Sequence, residues 1–326
     1  MIIHVPQDKV TITDAVKAAS EGDTICIAAG SFNEAINIGV DKNRIRIIGA
    51  GIGKTIVDGS NLGLNKDGFN IQGSNFITIE NLTVQNFSRF GLFIQKNDNT
   101  IHHIKTIENE LDGVCIESDA LHNVVTQCEA EGNNRDGMLV LGNHNFIMKC
   151  KMKNNLDCGL NFQGKYNLAF NNMTSGNRFD GFLSDSVYNT FLYNTSSKNG
   201  EDGFDTEKSS NFLFWNKALQ NEDDGIEADS NSLLLGNESK FNKENGIMIF
   251  SSKEKATKSR IIHNVVTNNN NGVKLEGNEN IVDKNTIRSS EEAGINILDD
   301  DNAIRSNHFH QNKENIRNKG DRNTVD

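Results

Sequence analysis

The chain has 326 residues, with 44 acidic side chains against 33 lysines and arginines, a formal charge of −11 and a hydrophobic fraction of 36%. So acidic a balance argues against nucleic acid and anionic membranes as partners, and no apolar run approaches the roughly 18 residues of a membrane-spanning helix. The opening MIIHVPQDKV has neither a basic n-region nor a long apolar stretch, so no signal peptide is expected. The five cysteines contain no C-x-x-C and read as free thiols, compatible with a cytoplasmic setting, rather than as a disulfide framework or a zinc site.

Residues 1–60 read as an N-terminal cap with the first irregular coils. The stretch TITDAVKAAS, Thr11 to Ser20, places Ile12, Ala15, Val16 and Ala19 on one helical face behind a capping threonine. Strand-like pieces TICIA, RIRII and TIVDG follow. A short amphipathic helix over the open end of a first coil is what a solenoid needs to keep that end from sticking.

Residues 61–326 read as one continuous repeat domain. Glycines followed by an apolar residue recur at Gly68, Gly91, Gly113, Gly137, Gly159, Gly181, Gly203, Gly225, Gly246, Gly272 and Gly294, most often 22 residues apart. Apolar residues then alternate, as in Phe69/Ile71, Leu92/Ile94, Val114/Ile116, Leu160/Phe162 and Val273/Leu275, which marks short strands with one inward face. The units are too short for propeller blades and carry no helix or leucine signature of a leucine-rich repeat. The expected fold is all-β: a single-stranded right-handed parallel β-helix of about eleven 22-residue coils with a short N-terminal capping helix.

Three asparagine columns run along the repeat. They are Asn123, Asn145, Asn167, Asn189, Asn211; then Asn172, Asn194, Asn216, Asn237, Asn264, Asn285, Asn307; and Asn133, Asn177, Asn199, Asn221, Asn242. Cys128 and Cys150 occupy the second column one and two coils earlier and are expected to be stacked, inert thiols. Coils lie about 4.8 Å apart, so equivalent amides can bond along the stack, and asparagine tolerates a left-handed corner. Tyr193 and Trp215 fall at equivalent places and read either as a packed aromatic ladder or as a platform for a sugar ring. The histidines show no repeating metal spacing. The final NIRNKGDRNTVD looks like a polar last coil without a cap helix, an edge suited to self-association.

Chemistry concentrates in three coils. The second and fourth residues after each glycine should face outward, and there they read Leu183/Asp185, Asp205/Glu207 and Glu227/Asp229, followed by Met248/Phe250 and Lys274/Glu276. Stacked carboxylates repel unless they keep protons or gather a cation. One reading makes Asp185, Asp205, Glu207, Glu227 and Asp229 a Ca²⁺ site. Another makes some of the acids a general acid and base for glycoside hydrolysis. A third leaves them a solvated acidic face, with the aspartates of each Asp-Gly pair serving turn chemistry alone.

The stretch TDAVKAASEGDTICIAAGSFNEAINI, with IRIIGAG and TIVDG behind it, resembles the opening of pectin-lyase-like β-helix proteins, and the resemblance covers essentially the whole chain. It implies a carbohydrate-directed protein with a polysaccharide or oligosaccharide partner, on a fold more often extracellular. EDGFDTEKSSNFLFWNKALQNEDDGIEADS is similar to the polygalacturonase layout, which implies Asp202, Asp223 and Asp224 as the catalytic acids of a polysaccharide hydrolase. Asp205, Glu207, Glu227, Lys274 and Asn245 would then bind substrate. The sequence departs from that pattern where His-Gly and Arg-x-Lys are wanted, holding Asn245-Gly246 and Lys274-Leu275-Glu276. Gly203-Phe204-Asp205-Thr206-Glu207 similarly keeps the aspartate of the mannuronan epimerase signature without its Pro-His. Two alternatives therefore stand beside the hydrolase: a non-catalytic coat or adhesin rod, and a Ca²⁺-dependent lyase or epimerase.

Overall fold

The computed structural model describes residues 1–250 and 257–326. It divides into two compact units, residues 1–167 and 168–326, each built from the same parallel coils. Among the described residues there is one helix, Ile12–Ala18, and otherwise short strands. No helix among the described residues is long and apolar enough to cross a membrane.

In the first unit the helix starts at Thr11, whose hydroxyl accepts the N–H of Asp14 at 3.0 Å. Ile12, Ala15, Val16 and Ala19 are buried as expected, against the strands Ile2–Val5, Thr24–Ile27 and Ile36–Ile38. The glycine-led strands lie in one parallel sheet: Phe69–Ile71, Leu92–Ile94, Val114–Ile116, Met138–Val140 and Leu160–Phe162. Ile36–Ile38 extends that sheet at one side without a glycine before it.

In the second unit the corresponding sheet holds Phe182–Ser184, Phe204–Thr206, Ile226–Ala228, Asn245–Ile249, Asn271–Leu275, Ala293–Ile297 and Ile316–Asn318. Ile316–Asn318 also lacks the leading glycine. Counting glycines therefore finds eleven coils and misses one such strand in each unit, Ile36–Ile38 and Ile316–Asn318. Most coils continue through two more short strands, such as Thr190–Leu192 and Thr195–Ser197, which pair with their equivalents in the next coil.

The glycine column has a steric cause. A Cβ on Gly203 would sit 2.5 Å from the carbonyl oxygen of Gly225 and 2.6 Å from Nδ2 of Asn221. No side chain fits where one coil's strand start meets the next. Behind the glycines, Phe182, Phe204, Ile226, Ile247 and Val273 are fully buried, and the Phe182 and Phe204 rings stack at 4.7 Å.

The asparagine columns form ladders. In the second unit the N–H of Asn194 donates to Oδ1 of Asn216 at 2.9 Å, and that of Asn216 to Asn237 at 2.9 Å; each step is doubled by Nδ2 at 3.1 Å. The left-handed corner, however, belongs to the residue before each ladder asparagine: Tyr188, Tyr193 and Lys198 have φ of 62°, 56° and 56°, ahead of Asn189, Asn194 and Asn199. Asparagine is selected for its amide, which caps two coils at once, and the backbone twist is left to its neighbour. The Cys128 N–H points at Cys150 Sγ at 3.5 Å, both thiols buried, so sulfur substitutes in the same ladder.

Tyr193 and Trp215 stack on each other at 5.3 Å and 15°. The opposite side of the indole lies over Gly236, where a Cβ would come within 2.6 Å. The pair is a packed ladder, with Tyr193 51% and Trp215 45% exposed.

Candidate functional site

The outward side of the glycine-led sheet in the second unit carries the carboxylates. Register places Leu183 beside Asp205, Asp205 beside Glu227, Glu227 beside Met248 and Met248 beside Lys274. Each strand's inward residues are fixed by the core, Phe204 and Thr206 on one and Ile226 and Ala228 on the next, so Asp205 and Glu227 have only the outer face available.

The aspartates preceding the glycines are neither turn formers at the surface nor a solvated face. Asp180, Asp202 and Asp224 are buried. Oδ1 of Asp180 accepts the N–H of Asp202 at 2.9 Å, and Oδ1 of Asp202 that of Asp224 at 2.7 Å. Oδ1 of Asp224 takes both the N–H and Nδ2 of Asn245, at 2.6 and 2.8 Å. Asn245 hands the ladder on, accepting Nδ2 of Asn271 at 3.0 Å. A fourth ladder, of carboxyls, thus borders the strand face, and Asn245 sits within it rather than at the surface.

This ladder and the strand face meet. Asp202, Asp205 and Glu227 bring one oxygen each within 4.8 Å of one another, and so do Asp202, Asp223 and Asp224. The three sequence-derived catalytic candidates are therefore neighbours, with Asp223 exposed and the other two buried. Among the Ca²⁺ candidates, Asp205 and Glu227 join this cluster, while Asp185, Glu207 and Asp229 lie along the strand ends. Asp229 is buried and takes the N–H of Ser230. Glu207 pairs with Lys208 at 3.4 Å, and Lys274 with Glu276 at 2.7 Å.

Crowding raises the carboxyls. Burial, then repulsion from Asp224 and Asp180, pushes Asp202 up to about 10. Burial, then Asp180 and Glu227, pushes Asp205 up to about 9, and its Oδ1 is buried without a hydrogen-bond partner. Burial also lifts Asp224 and Glu227 to about 7 each, Glu227 with help from Asp223. Asp185 reaches about 6 through burial and then its contact with Glu207. The arrangement can hold protons at neutral pH next to a group ready to lose one, or gather a hard cation through oxygen donors.

Comparison with known proteins bears on the fold. Solved structures similar to this chain include the A-module of the Azotobacter vinelandii mannuronan C-5 epimerase AlgE6, at 15% identity and a TM-score of 0.72 over 96% of this chain and 92% of that one. The receptor-binding domain of the siphovirus 9NA tailspike matches at 8% identity and a TM-score of 0.74, over 99% and 76%. The catalytic domain of a GH87 α-1,3-glucanase in complex with nigerose matches at 13% and 0.57, over 98% and 68%. No curated protein matches the chain. Residues 207–325 match a family model described as periplasmic copper-binding protein (NosD). Residues 67–233, just over half of the chain, match the model of the right-handed β-helix region. The chain belongs to the right-handed parallel β-helix family.

Proposed function

We propose that this is a polysaccharide-directed protein that hydrolyses glycosidic bonds on the strand face of the Phe182–Ser184, Phe204–Thr206 and Ile226–Ala228 coils. The observation that supports it is the convergence of Asp202, Asp205 and Glu227 within 4.8 Å, with carboxyls spread from about 10 to about 7. Glycoside hydrolysis needs one carboxyl to protonate the leaving oxygen and a second to activate water or attack. Glu227, partly exposed and poised near neutral, is the acid; Asp223, exposed beside Asp202 and Asp224, is the partner carboxylate. Asp202 and Asp224, bound to backbone N–H groups, position these two. Glu207 and Lys274 lie on the rim where a sugar chain would run, and Asp205 faces it between them. Epimerase, glucanase and tailspike domains of the same fold are the neighbours such a reading would expect.

The test is incubation with a polysaccharide panel, following reducing ends and unsaturated products, for the native chain and for Glu227→Gln and Asp223→Asn. Reducing ends that vanish in both variants, with unchanged melting temperature, support hydrolysis; unsaturated products would replace it with a lyase. A thermal shift with Ca²⁺ that Asp205→Asn removes would support the cation reading of the same acids. A non-catalytic binding rod is favoured by one observation: Lys208 and Lys274 are each ion-paired, which leaves neither free to stabilise a developing negative charge. Oligosaccharide binding without turnover would establish it.

A further inference from the structure

A carboxyl ladder also runs through the first unit. Oδ1 of Asp112 accepts the N–H of Asp136 at 3.0 Å, and Oδ1 of Asp136 accepts that of Cys158 at 3.0 Å. Asp112, Asp136 and Cys158 are all buried. Oδ2 of Asp136 takes Nδ2 of Asn161 at 3.3 Å, and Oδ2 of Asp112 is buried without a hydrogen-bond partner. Asn161, 7% exposed, leaves its own Oδ1 buried and unpartnered. Asn245, which stands before its glycine in the second unit as Cys158 does in the first, has both ends of its amide bonded. A buried acceptor left unmade costs about 1–3 kcal/mol, so two of them beside one cluster call for a ligand.

The cluster has the donors for one. Asp136, Asp157 and Cys158 each place a ligand atom within 4.8 Å of the other two. Cys158 Sγ lies 3.7 Å from Oδ1 of Asp157, and Asp157 is partly exposed, which gives an ion a route in. Leu139 pairs with Asn161 in register, and Cys115 and Phe93 pack with Leu139, so an apolar wall shields the site from water. We propose that Asp136, Asp157, Cys158 and Asn161 bind a zinc-class divalent ion through two carboxylates, one thiolate and one amide oxygen. The thiol proton passes to solvent as the sulfur binds the metal. Calcium and magnesium take oxygen donors alone, whereas a thiolate among them selects the borderline-soft metals. Four protein donors close the coordination sphere, which makes this a structural site. It lies outside residues 207–325 and in the other unit from the groove acids. Cysteine spacing gives no sign of it, because its only thiol is joined by oxygens from neighbouring coils.

The full chain, stripped with chelator and dialysed, is titrated with Co²⁺ as a spectroscopic stand-in for zinc. One equivalent should give thiolate-to-cobalt charge-transfer absorption that Zn²⁺ displaces. Cys158→Ala should abolish the band, and Asp157→Asn, at a partly exposed position that leaves the fold intact, should weaken Co²⁺ binding by at least about 100-fold, more than an outer-shell partner is worth. Glu227→Gln should leave both unchanged. Absence of the band in the native chain, its persistence in Cys158→Ala, or unaltered affinity in Asp157→Asn would overturn the proposal.

Discussion

The backbone N–H of Asp224 donates to Oδ1 of Asp202 at 2.7 Å, so the aspartate of one coil holds the chain of the next. Both residues are buried, and Asp202 is pushed up to about 10 by burial first and by Asp224 and Asp180 after it. A residue that looks catalytic by its perturbation is also a structural acceptor, and the two roles can be separated by choosing what replaces it.

Asp202→Asn keeps an acceptor at Oδ1 while removing the group that repels Asp224. It should leave the melting temperature at slightly alkaline pH unchanged or raise it. Asp202→Ala leaves the Asp224 N–H buried with no acceptor and should lose about 1–3 kcal/mol in denaturant unfolding. Equal losses in both variants would mean that the carboxyl's charge, and not its acceptor, is what the fold uses.

The pH dependence follows from Asp205. Burial, then the neighbouring carboxylates Asp180, Glu227, Glu207 and Asp185, raises it to about 9 from an ordinary 3.8. Between those values the folded chain binds more protons at this site than the unfolded one. The stability that Asp205 contributes is complete below its unfolded value and declines as pH rises toward 9. The melting temperature should therefore fall from about pH 5 to about pH 9, and Asp205→Asn should flatten the slope. Parallel curves for the two proteins would place the titration elsewhere.

The asparagine ladder also bears on stability. Oδ1 of Asn216 accepts from the N–H and Nδ2 of Asn194, while its Nδ2 donates to the carbonyl of Phe191 at 2.9 Å. Asn216→Ala orphans the buried N–H of Asn194 and removes the side-chain bond to the Phe191 carbonyl, and should cost about 1–3 kcal/mol. Glu201→Ala, at an exposed side chain in the same coils, should change stability by less than about 0.5 kcal/mol. A shift in unfolding midpoint of similar size for both would remove the ladder from the account.

Why the fold was legible and the site less so is visible in particular residues. The glycine column, the inward pairs such as Phe69/Ile71 and the asparagine columns each repeat with the coil, and a repeat reports stacking directly. Asp202 and Asp136 were obscured because Asp-Gly is also ordinary turn chemistry; only the three-dimensional register shows the carboxyl buried under the next coil. The left-handed corners at Tyr188, Tyr193 and Lys198 were assigned one residue late, since asparagine suits such a backbone and here serves another purpose. Ile36–Ile38 and Ile316–Asn318 escaped because Cβ clashes do not require a glycine before them. Asn161 gave no local signal, as its unpartnered oxygen exists only once Asp136 and Cys158 are stacked beside it.

Trp215 offers a direct probe of the ladder, being the sole tryptophan. Its indole rests against Gly236, whose φ is +70° and whose α-carbon could not carry a methyl without placing it 2.6 Å from both Cδ1 and Nε1. Gly236→Ala therefore combines a left-handed backbone that alanine resists with a collision against the ring, and costs about 1 kcal/mol or more. Caught between that methyl and the Tyr193 ring, the indole must tip outward, disturbing the 5.3 Å stack and gaining water. Its fluorescence emission should move to longer wavelength, and Tyr193→Ala should move it in the same direction while leaving the backbone strain out. Unchanged emission in Gly236→Ala would show that the indole does not rest where the stack requires it, and the packed-ladder account of this pair would fail.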